Sequence, residues 1–154
     1  MNMKAWTEQL LATRNKKAIP VLSFPSVQLM GITVRELISS AEMQAKGMKM
    51  IADRVDTGAS VSLMDLSVEA EAFGSVIRFS DDEVPTVIGS IVTDEDEADA
   101  LAIPEVGAAR TGIYIDAIRR AKELITDRPI FAGVIGPFSL AGRLLDVTEA
   151  MVLC

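Results

Sequence analysis

The sequence contains no histidine. Imidazole acid–base chemistry and histidine metal ligation are therefore excluded within these residues. Cysteine is nearly missing as well: Cys154 is single, so no intrachain disulfide can form. Basic charge is scarce, with 15 Lys and Arg against 22 Asp and Glu and a net charge of −7. That balance leaves no basic footprint for nucleic acid and disfavours polyanionic partners. Long hydrophobic runs are absent too. Ile130–Ile135, one of the longest, is far too short to cross a bilayer. Met1–Lys17 is charged and amphipathic and lacks the apolar stretch of a signal peptide. A soluble cytoplasmic protein is the expectation, with neither nucleic acid nor membrane as partner.

What is present suffices for a core. Apolar residues make up 49% of 154, a length that fits one domain or a piece of one. Met3–Arg14 puts Trp6, Leu10 and Leu11 on one helical face, and Lys16-Lys17 places cations at its carboxyl end. Ala18–Phe24 reads as a first short strand, ended by Pro25. Thr33 is an N-cap for Val34–Ile38 with Glu36 at the capping-box position, and Ser40 caps a helix running to about Val55. Asp56–Gly58 turns into a second strand, Ala59–Met64, which ends at Asp65.

Beyond it, Ser67–Phe73 reads as a short helix stopped by Gly74. Ser75–Phe79 and Pro85–Ile88 make a peripheral hairpin around the acidic turn Ser80–Glu83. Thr93–Glu97 starts a helix, Pro104–Gly107 is a linker, and Thr111–Ile125 is a long helix carrying Ile115, Ile118, Ala121 and Ile125. A third strand starts at Ile130 and exits through a tight Gly136-Pro137 turn into a helix capped by Ser139. Met43, Met48 and Met50 read as core filling.

The expected architecture is α/β, with about three core parallel strands joined by helical crossovers. Three strands cannot close a β/α barrel, which needs eight, and alone they leave open edges and an uncovered apolar face. The chain also ends at Cys154 inside an apolar helical pattern with no stop signal. The expectation is the amino-terminal part of a larger enzyme: a helix over 1–17, then the first portion of a barrel over 18–154.

Chemistry in such folds sits at the carboxyl ends of strands. Asp65 follows an apolar strand, where it can bind a ligand or orient a catalytic group; the plain alternative is an Asx turn or N-cap. Glu69 and Glu71 point to different faces of a short helix, so at most one reaches a shared site; favourable dipole placement is the alternative. Gly136, Phe138 and Ser139 form a rigid turn whose following N–H groups could hold an anion, or serve as ordinary turn chemistry. Ser23 and Gln28 flank the exit of the first strand and are pocket candidates. Cys154 has no neighbouring base and reads as an inert thiol.

Met64-Asp65-Leu-Ser-Val-Glu-Ala-Glu-Ala-Phe-Gly74, the hairpin after it and Gly133-Val-Ile-Gly-Pro-Phe-Ser139 resemble the uroporphyrinogen decarboxylase superfamily. The resemblance covers roughly residues 18–152, less than half of a family member. Val68-Glu-Ala-Glu-Ala72 is most similar to the methylcobamide:coenzyme M methyltransferase branch. It implies an incomplete (β/α)8 TIM barrel with reactants at the carboxyl ends of the strands and supports Asp65 as catalytic residue; Ser23, Gln28, Glu71, Gly136, Phe138 and Ser139 are the substrate-site candidates beside it. It further implies methyl transfer from a corrinoid protein to a small thiol such as coenzyme M, with zinc on a His-x-Cys pair and a distant Cys. Those ligands belong to the later half of the barrel, so this segment binds no cofactor itself.

The decarboxylase branch is the alternative. There an arginine-rich Met-Arg-Gln-Ala-Gly-Arg segment binds substrate carboxylates; here Phe24-Pro-Ser-Val-Gln-Leu-Met-Gly31 stands in its place. Asp65 does match the decarboxylase aspartate that meets pyrrole N–H groups. A reading from another class is a non-catalytic half-barrel that self-associates or pairs with a separate carboxyl-terminal half; the plainest is a truncated reading frame.

Overall fold

The computed structural model describes residues 2–153. Met1 and Cys154 lie outside them, and so does the reading of Cys154 as an inert thiol. Helix α1 (Met3–Ala12) is capped by Asn2, whose Oδ1 accepts from the Lys4 and Ala5 N–H groups. Lys16 Nζ donates to the Leu10 and Leu11 carbonyls at 2.6 and 2.8 Å, a cation at the negative helix end. Trp6 attaches α1 to the body, meeting the Phe131 ring edge-on at 5.6 Å.

Residues 18–24 do not form the expected strand. They run beside 58–61: the Ala18 carbonyl accepts from Gly58 N–H at 2.9 Å, and Ser23 Oγ donates to the Val61 carbonyl at 3.4 Å. No ladder forms, because Pro20 has no N–H to give and Pro25 turns the chain straight into α2 (Pro25–Met30). Helix α3 (Val34–Ile38) starts in a complete capping box: Thr33 Oγ1 accepts from Glu36 N–H at 3.1 Å and Glu36 Oε2 accepts from Thr33 N–H at 2.7 Å. Ser40 Oγ then caps α4 (Ala41–Arg54), accepting from Met43 N–H at 3.3 Å. Gly47 lets α4 close onto α2, since a Cβ there would lie 2.6 Å from Ser26 Oγ.

Strands β1 (Ser60–Val61) and β4 (Ile130–Phe131) pair in parallel, Ser60 against Ile130 and Val61 against Phe131. Between them the chain forms α5 (Val68–Ala72), the antiparallel pair β2 (Val76–Arg78) and β3 (Thr86–Ile88), α6 (Glu95–Asp99) and α7 (Thr111–Leu124). Among the described residues the parallel ladder thus joins two strands rather than three. Both are shorter than the apolar runs that contain them. The ladder gives out where Ser62 Oγ, instead of a carbonyl, accepts the Gly133 N–H at 2.8 Å.

Helices α4 and α7 pack against each other through Ala45, Met48, Ala52 and Ala121, with Ile125 buried just after α7 and Ile118 and Ile130 against the cluster. A second cluster gathers Val34, Leu37, Ile38 and Leu63, with Met43 and Phe79 at its edge. A third joins Ala70, Val92 and Leu144, tying α5 to α8 (Pro137–Leu144), which α9 (Val147–Leu153) follows. Ser139 is not the cap of α8. Gly136 takes that position and Pro137 the first helical one, where its fixed φ suits the helix and its missing N–H costs nothing. No helix among the described residues is long and apolar enough to cross a membrane.

Candidate functional site

The chain leaves β1 through Leu63, which is anchored in the second apolar cluster, and turns at Asp65. Asp65 Oδ1 accepts from the Ser67 N–H at 2.9 Å and from Ser67 Oγ at 2.6 Å, an Asx-type turn that opens α5. Asp65 Oδ2 accepts from Arg110 Nη1 at 2.6 Å and from the Tyr114 hydroxyl at 3.0 Å. An ionised carboxylate offers about four acceptor positions, and here every one is taken. The Asp65 side chain is 0% exposed and that of Arg110 9%.

Arg110 ties the cluster together. Its Nη2 donates to Ser67 Oγ at 2.8 Å, its Nε pairs with Glu71, and its guanidinium lies 5.0 Å from the Phe79 ring centre. Burial pushes its pKa down, but the Asp65 hydrogen bond and the charges of Asp65 and Glu71 outweigh burial and hold it above the ordinary value. Burial, followed by the charge of Asp65, pushes the Tyr114 phenol well above its ordinary value, so it stays protonated. Arg110 reaches the cluster from a turn in which Ala109 is left-handed, with φ +48°. A non-glycine there is strained; the buried ion pairs one residue later hold it.

A cleft of about 620 Å³ opens beside this cluster, at the carboxyl ends of β1 and β4. Its walls are residues 62–66 and 132–135, one face of α5, the 103–107 loop and the Tyr114, Ile115 and Ile118 side of α7, with Arg119 and Lys122 at the rim. Glu69 borders it and its Oε1 accepts from Ile135 N–H at 3.3 Å, tying α5 to the segment after β4.

Of the residues singled out in the sequence, Asp65 borders the cleft, with its carboxylate turned into the cluster. Glu71 joins the same cluster through Arg110 but does not line the cleft. Ser23 is buried against Val61, where its hydroxyl serves the backbone. Gln28 is exposed on α2, and Gly136, Phe138 and Ser139 sit exposed at the start of α8, outside the cleft. The sequence reading missed Arg110 and Tyr114. Both lie more than forty positions from Asp65, and only the helical spacing of Tyr114 with Ile118 hints at the face it shares.

The zinc ligand set named for the methyltransferase branch does not fit these residues. The chain has no histidine, and among the described residues no three His, Cys, Asp or Glu side chains converge on a point that could hold a metal.

The fold is similar to that of a methyltransferase from Methanosarcina mazei, with a TM-score of 0.78 and 22% sequence identity. The superposition covers 95% of this chain and 46% of that one, so the chain spans about half the length of that protein. No curated protein matches the sequence. The signature of the family described as uroporphyrinogen decarboxylase (URO-D) matches residues 18–153. With that match over nearly its whole length, on an α/β fold with a cleft at its parallel strand ends, the chain belongs to the uroporphyrinogen decarboxylase family.

Proposed function

We propose that residues 18–153 form the amino-terminal part of a (β/α)8 barrel, with α1 appended to it, and supply one wall of a corrinoid-dependent methyltransferase site. The complete enzyme would move a methyl group from a methylcobamide protein to a small thiol such as coenzyme M. The observation that carries this choice within the family is α2. The segment where decarboxylases hold carboxylate-binding arginines is here a short helix without a basic residue, packed on α4 with Ser26 buried against Gly47. Nothing in it can form the bidentate bonds that propionate and acetate groups call for. The likeness of fold to a methyltransferase supports the same choice.

In this reading the chain's own residues shape the cleft rather than perform the transfer. Ile115, Ile118 and Val134 give it apolar walls against which a methyl group can sit. The Asp65–Arg110–Glu71 cluster fixes the end of β1 relative to α7. The described residues supply no ligand set for zinc.

Decarboxylation of uroporphyrinogen is the second reading, and Asp65 is the observation for it. It requires Asp65 to accept from pyrrole N–H groups, yet its four acceptor positions are already filled within the chain. The discriminating experiment combines this chain with a polypeptide supplying the rest of a (β/α)8 barrel and carrying the His-x-Cys pair and distant Cys that the methyltransferase branch implies. Methyl transfer from methylcobalamin to 2-mercaptoethanesulfonate supports the proposal; carbon dioxide release from uroporphyrinogen supports its rival.

A further inference from the structure

The buried cluster beside the cleft carries an inference that depends on neither reaction. Within it, hydrogen-bonding capacity can be counted. Asp65 accepts four bonds and has none left. Ser67 Oγ donates to Asp65 and accepts from Arg110. Glu71 is engaged by Arg110 and lies outside the cleft lining. Tyr114 differs. Its hydroxyl donates its one proton to Asp65, the residue borders the cleft, and its oxygen accepts from no group among the described residues. We propose that Tyr114, not Asp65, is the group this cluster offers to a ligand, as a hydrogen-bond acceptor for a hydroxyl, thiol or N–H. Asp65 is then a positioning residue: it claims the phenolic proton, so that the oxygen can only accept.

The chemistry is directional. A free tyrosine hydroxyl rotates and can donate or accept. One whose proton is committed to a buried carboxylate rejects a ligand carbonyl and welcomes a donor. The carboxylate is itself held in place by Arg110 and Ser67, so this preference is built in before any ligand arrives. Tyr114 is the only tyrosine of the chain, which makes it spectroscopically visible without labels.

Two measurements test this on the chain itself. The tyrosine Fermi doublet in ultraviolet resonance Raman separates donor phenols from acceptor or unbonded ones. A signature in which the phenol donates, alone or while also accepting from water, is expected in the unliganded protein, and an acceptor-only or unbonded signature overturns the proposal. The second uses phenol and anisole as matched probes of the apolar cleft, one with a donor and one without, titrated by ligand-observed NMR. One hydrogen bond is worth about 0.5–1.5 kcal/mol, so the phenol-to-anisole affinity ratio should fall about two- to twelvefold in Tyr114→Phe. An unchanged ratio, even with lowered stability, would leave Tyr114 a structural residue and overturn the proposal. Failure of wild-type protein to bind either probe would overturn it as well, since the cleft would then take no such ligand.

Discussion

Replacing Arg110 with alanine removes the only cation from a buried cluster of two carboxylates. The Asp65 side chain is 0% exposed and cannot rehydrate in place, whereas Glu71, at 23%, can turn to water. The loss therefore comes chiefly from stranding one buried charge. Breaking such a pair by deleting one partner costs about 3–5 kcal/mol, a large share of the roughly 5–15 kcal/mol that holds a domain together. Arg110→Lys should fall between wild type and alanine, because an ammonium is a single point and cannot reach Asp65, Ser67 and Glu71 in one fork. Asp65→Leu combined with Arg110→Met should recover only part of the stability: no buried charge is left stranded, but the Ser67 N–H and hydroxyl and the Tyr114 hydroxyl lose their acceptor. Urea unfolding followed by far-ultraviolet circular dichroism gives all four values. A cost below about 1 kcal/mol for Arg110→Ala is what a solvated surface pair would show, and it would refute the buried cluster.

Burial and Asp65 raise the Tyr114 pKa above the unfolded value of about 10. Above that pH the unfolded chain gives up a proton that the native one keeps, so stability falls as pH rises past it and is unaffected below. The tyrosinate absorbance band should accordingly appear only with alkaline unfolding; smooth titration near pH 10 in folded protein would contradict this. Gly47→Ala places a methyl 2.6 Å from Ser26 Oγ and should cost about 1–3 kcal/mol in urea unfolding. Thr33→Ala removes one half of the capping box and should cost about 1 kcal/mol by the same measurement.

Much of the helical framework is legible in the sequence because its signals are local. Thr33 with Glu36 and Ser40 before Ala41 each name a helix start, and each cap is found in place. The spacing of Ile118, Ala121 and Ile125 names the face that α7 turns to α4 and β4. The strands are less legible, since apolar content does not reveal who pairs with whom. Ala18–Phe24 is apolar enough for a strand, but Pro20 and Pro25 remove the donors a ladder needs. Ile130–Ile135 loses its ladder after Phe131, where a serine side chain replaces a backbone partner.

The site divides in the same way. Asp65 can be found from its place after a strand: it forms the Asx turn with Ser67 and borders the cleft. Its partners cannot be found so. Arg110 sits in a turn at a left-handed Ala109, and Tyr114 lies one turn into a helix; only the folded chain brings them to the same carboxylate. The Gly136–Ser139 turn illustrates the converse. Its pattern is the ordinary start of a helix at Pro137, and a helix start alone does not bring it to the cleft.

The central claim is that this chain shapes a methyl-transfer site and not a decarboxylation site. Parallel assays on one preparation, joined to the remaining half of the fold and loaded with zinc, test it most directly. The account predicts thiol-dependent loss of the methyl–cobalt absorbance, with uroporphyrinogen unchanged. Carbon dioxide release from uroporphyrinogen, with methylcobalamin untouched by 2-mercaptoethanesulfonate, would contradict it.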